Sequence, residues 1–63
     1  MILAPVTQEL IEFTRELGQR FPDMLDGEVI LAVEEHHGCT LPDYAQRAML
    51  WEYNNGEGKN PWL

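Results

Sequence analysis

Apolar residues recur at spacings of three and four from Leu10 through Phe13 and Leu17 to Phe21, while Glu9, Glu12 and Glu16 fall on another face. The pattern predicts an amphipathic helix over about 7–20, opened by Thr7 as N-cap and closed by Pro22, which biases the residues before it away from helical geometry. The run Val29-Ile30-Leu31-Ala32-Val33 alone could be a buried strand. An N-cap residue before it, Asp26, and a charged turn after it favour a second helix over about 27–37, with Glu28 placed to suit the positive end of its dipole.

Thr40-Leu41-Pro42-Asp43 has the capping-box spacing of a hydroxyl followed three residues later by an acid, with proline tolerated in the first turn. Leu41, Tyr44, Ala45, Ala48 and Met49 then follow at helical spacing, so a third helix is expected over about 41–53, stopped by Asn54-Asn55-Gly56. The tail, 54–63, is turn-rich and ends in the apolar pair Trp62-Leu63. No repeat or second domain is visible. The expectation is a single domain, 1–63, of all-α class: a compact three-helix bundle.

Length narrows the function. A chain of 63 residues buries only about 60% of its unfolded surface, which leaves little room for an enclosed active site, so an enzyme is not expected. Four basic residues against eleven acidic ones, a net charge of −7, would repel a phosphate backbone; direct nucleic-acid binding is disfavoured and basic protein surfaces are favoured. One cysteine makes no internal disulfide, which points to a reducing compartment. The opening Met1–Val6 lacks the charged start and length of a secretion signal, and the longest apolar run is too short to span a bilayer. An intracellular, cytoplasmic protein without membrane association is therefore expected.

The stretch Val33-Glu34-Glu35-His36-His37-Gly38-Cys39 gathers carboxylates, imidazoles and the thiol. Gly38 suits a left-handed helix end, and the histidines suit the negative end of the dipole. Adjacent helical residues diverge by about 100°, and no spaced ligand pair such as HxxxH or CxxC exists, so neither a metal nor another cofactor is expected. Cys39 reads as a partly buried, inert thiol, Glu34 and Glu35 as solvated charge, and no residue is assigned a catalytic role.

From roughly residue 10 to 53 the chain resembles the CUE domain, a member of the ubiquitin-associated three-helix class. Phe21-Pro22 matches the Phe-Pro of the family's Met-Phe-Pro motif after helix one, Gly38 falls where a family glycine closes helix two, and Met49-Leu50 stands in for its di-leucine. Arg20 stands where the family has methionine, and the link Cys39–Tyr44 is about two residues longer than usual. The resemblance implies ubiquitin or a ubiquitin-like protein docking on Phe21, Pro22, Met24, Met49 and Leu50, with acids such as Asp23 meeting a basic rim.

A second class is open. Read as a whole protein of 63 residues, strongly acidic and ending in an apolar pair, the chain also suits a free-standing inhibitor or adaptor of phage or mobile-element type that blocks a host protein. A nucleic-acid mimic acting through Glu9, Glu12 and Glu16 is one version. A homodimer burying an uncovered helical face is also open, with Trp51, Tyr53 and Trp62 as the expected contacts.

Overall fold

A computed structural model describes residues 6–56 and 58–63. The segment read for a secretion signal, save Val6, lies outside the described residues, as does Glu57 of the tail. Three helices follow in order: α1, Gln8–Arg20; α2, Asp26–His37; and α3, Asp43–Asn55. There is no strand among the described residues, and the predicted three-helix bundle is the fold. The radius of gyration, 10.6 Å, equals the value of about 10.6 Å that a compact chain of this length gives, so the tail is folded back rather than extended.

The helix ends follow local chemistry. Thr7 caps α1, its hydroxyl oxygen accepting from the Leu10 amide at 3.1 Å. Two other predicted caps are corrected. Asp26 is the first residue of α2, not its N-cap; that place is held by Leu25, whose amide donates to Glu28 Oε1 at 2.9 Å. Thr40 does not cap α3 either, because Pro42 occupies the N-cap position and Asp43 begins the helix. At the other ends Gly38 (φ 84°) and Gly56 (φ 75°) both take the left-handed conformation that side chains resist, and α3 runs two residues past its expected end, through Asn54 and Asn55.

Leu10, Val29, Val33, Leu41, Ala45, Ala48, Met49 and Tyr53 form the core, with Phe13, Leu17, Met24 and Leu50 packed partly against it. α1 lies most extensively against α3. The reason is small residues at the crossing. Gly18 lets the backbones meet so closely that an added Cβ would stand 2.4 Å from the Tyr53 carbonyl oxygen. Thr14 is fully buried one turn earlier; its hydroxyl donates to the Leu10 carbonyl and lies 3.4 Å from Met49 Sδ. Phe21 is not the last member of the apolar stripe: it falls outside α1 and is exposed.

Candidate functional site

Pro22 ends α1, and the turn that follows would be loose without a tether from α3. Tyr53 supplies one. Its hydroxyl donates to the Phe21 carbonyl and accepts from the Met24 amide, the latter at 2.9 Å, so the turn is held against the third helix at both ends. Leu50, one turn before Tyr53 on α3, lies in a neighbouring hollow beside Leu25.

This arrangement brings Phe21, Pro22 and Met24 around one hollow, with Leu50 in the next and Glu28 lining both. Phe21 is 57% exposed, Pro22 and Asp23 are exposed, and Met24 and Leu50 are half-buried. Met49 is the correction: it is 0% exposed, in the core against Thr14, and has no surface to offer a partner. Adjacent helical residues diverge, so Met49 and Leu50 cannot share one outward face. Arg20, at the family's methionine position, pairs with Glu16 at 2.7 Å across one turn.

The second set of contacts divides similarly. Tyr53 is buried and spent on the turn, which corrects its expected place at a dimer surface. Trp51 is partly covered, and Trp62 is 45% exposed with the Arg47 guanidinium 5.4 Å from its ring centroid. What docks the tail is Asn60. Its amide donates to the Ala48 carbonyl at 2.9 Å and to Glu52 Oε2 at 3.1 Å, while its carbonyl oxygen accepts from the Trp62 amide. Glu52, 1% exposed, receives Arg15 Nε on its other oxygen at 2.8 Å.

In the carboxylate, imidazole and thiol stretch, Glu34 and His36 make contacts within the fold. Glu34 is not solvated charge: its Oε2 accepts the Leu41 amide at 2.6 Å and ties the link between α2 and α3. His36 stacks on Phe13, centroids 3.9 Å apart, with Nε2 at 2.8 Å from Glu9 Oε1. Cys39 is exposed, against the expectation of partial burial. Among the described residues no three His, Cys, Asp or Glu side chains converge as metal ligands do.

One surface went unread in the sequence. Between α2 and α3 runs an open groove lined by Leu25, Ile30, Leu31, Gln46 and Leu50, rimmed by Asp26 and Glu28. Leu25 is 72% and Leu31 68% exposed. The signal was present: Val29 and Val33 mark the buried side of α2, so Leu31, two residues from each, had to point elsewhere. No protein family, curated protein or solved structure matches this chain, so the arrangement of its own residues carries the functional reading.

Proposed function

We propose that the chain is a non-enzymatic protein-interaction module of CUE-like type that takes ubiquitin or a ubiquitin-like protein on Phe21, Pro22, Met24 and Leu50. The observation that carries this reading is the exposed Phe21 on a turn locked to α3 by Tyr53, one helical turn from Leu50. Presenting a large apolar side chain to water is unfavourable for the free protein, and an aromatic anchor on a rigid turn meets a partner at little entropic cost. Around it lie acids, Asp23 and Glu28, suited to a basic rim. The small apolar area, narrowed by the Arg20–Glu16 pair, implies weak, fast-exchanging association.

The phosphate-mimic version of the inhibitor reading has less support. Two of its three carboxylates are engaged within the fold, Glu9 beside His36 and Glu16 beside Arg20.

The test is to add unlabelled ubiquitin to the isotope-labelled protein. Selective amide shifts at Phe21, Met24 and Leu50, and about tenfold weaker binding by Phe21→Ala with an otherwise unchanged spectrum, are expected. An unmoved spectrum at saturating ubiquitin overturns the ubiquitin reading.

A further inference from the structure

We infer that the groove between α2 and α3 is a second docking site, and that its occupant is a basic amphipathic helix. This inference is independent of the ubiquitin reading: the hollow at Phe21, Pro22 and Met24 shares only Glu28 with the groove, and Leu50 lines the groove alone.

The lining decides the shape of the occupant. An extended peptide binds by adding to a sheet edge, and the described residues contain no strand. A proline-rich segment needs aromatic walls, whereas the walls here are the aliphatic Leu25, Ile30, Leu31 and Leu50. A groove between two helices is instead filled by the side-chain ridge of a third. On α2 the groove runs from Asp26 to Leu31, about 9 Å of helix, which accommodates about two turns of such a helix, with anchors at i and i+3 or i+4.

Charge decides its sign. Asp26 and Glu28 stand at one end of the groove. Leu31 also lines an adjoining concavity bounded by Glu34, Glu35 and Cys39, so the acidic rim continues along the outer side of α2. No lysine or arginine lines either hollow. Glu28 and Glu34 each accept a backbone amide through one oxygen, which fixes both carboxylates at the rim. A helix with leucines on one stripe and lysines or arginines beside it satisfies both the walls and the rim.

The experiment uses the isotope-labelled full chain and a synthetic end-blocked peptide of about 16 residues, made of leucine and lysine with the leucines on one helical stripe. Its control has the same composition with the leucines scattered, so net charge is matched. The expected result is selective shifts at Leu25, Ile30, Leu31 and Gln46, and striped-peptide affinity about tenfold or more above the control. Leu31→Ser should lower that affinity about tenfold, and because Leu31 is mostly exposed the variant keeps its fold, as its own amide spectrum will establish. Phe21→Ala should leave peptide binding unchanged, which separates this site from the ubiquitin surface. Equal binding of the two peptides, shifts spread over every acidic face, or unaltered affinity in Leu31→Ser would each overturn the inference.

Discussion

The Tyr53 hydroxyl bridges the Phe21 carbonyl and the Met24 amide, so a residue of the third helix fixes the shape of the turn leaving the first. Tyr53→Phe keeps the ring in the core and removes both bonds. The expected cost is about 1–3 kcal/mol in denaturant unfolding, with faster hydrogen exchange at Met24 than in the parent. Unchanged exchange at that amide would mean the turn holds itself.

Two glycine substitutions should act in opposite directions. Gly18→Ala places a Cβ against the Tyr53 carbonyl, so α1 and α3 must separate; the loss should be about 1–3 kcal/mol despite the better helix propensity of alanine. Gly27→Ala, inside α2 with no atom near its added Cβ, should gain about 0.4–1 kcal/mol. Thermal unfolding of both variants should move Tm several degrees in opposite senses, roughly 4–8 °C per kcal/mol for a domain of this size.

Asn60 is held as a donor of two hydrogen bonds, which makes its near-isostere informative. Asn60→Ala strips the Ala48 carbonyl and Glu52 of a partner, an expected loss of about 1–3 kcal/mol with a red shift of tryptophan emission as the tail lifts. Asn60→Asp should be worse near neutral pH, since it sets a second carboxylate beside Glu52. Like charges there favour the neutral form, so the excess loss relative to Asn60→Ala should shrink as pH falls through the carboxylate range. Equal stability of the two variants across pH would disprove the assigned orientation of the amide.

At the contact of α1 with α2, stacking should outweigh charge. Glu9 is largely exposed, so Glu9→Gln should change stability by less than about 1 kcal/mol. His36→Ala forfeits the parallel contact with Phe13 and should cost about 0.5–1.5 kcal/mol beyond the area uncovered. A double-mutant cycle with Phe13→Leu measures that contact directly.

The helices were legible because their signals are local: apolar spacing, Thr7, Pro22, Gly38 and Gly56 each act within a turn of their own position. What escaped is long-range. Nothing near Glu52 in the chain distinguishes it from the exposed Glu16, because its partners Arg15 and Asn60 arrive from another helix and from the tail. Thr14 likewise reads as a polar gap in the apolar stripe until Met49 packs against it. The caps at Asp26 and Thr40 were misplaced by one and two residues, since Leu25 borrows Glu28 and Leu41 borrows Glu34 in place of a side-chain cap. Of the residues expected at a contact surface, Phe21 and Pro22 are exposed and Met24 and Leu50 half-buried, whereas Met49 lies in the core because an adjacent pair cannot face one way on a helix.

The pairing of α1 with α3 also governs how the molecule can form. Thr14, Arg15 and Gly18 meet residues of the last helix rather than the next one, so α1 gains little until the intervening segment has been closed into a loop. The first two helices alone are therefore not expected to accumulate as an intermediate, and stopped-flow refolding should show one main exponential apart from the slow phase of the X-Pro bonds. On the ribosome the same constraint holds α1 uncommitted until α3 has been synthesised, and a fragment ending at Gly38 will remain unfolded.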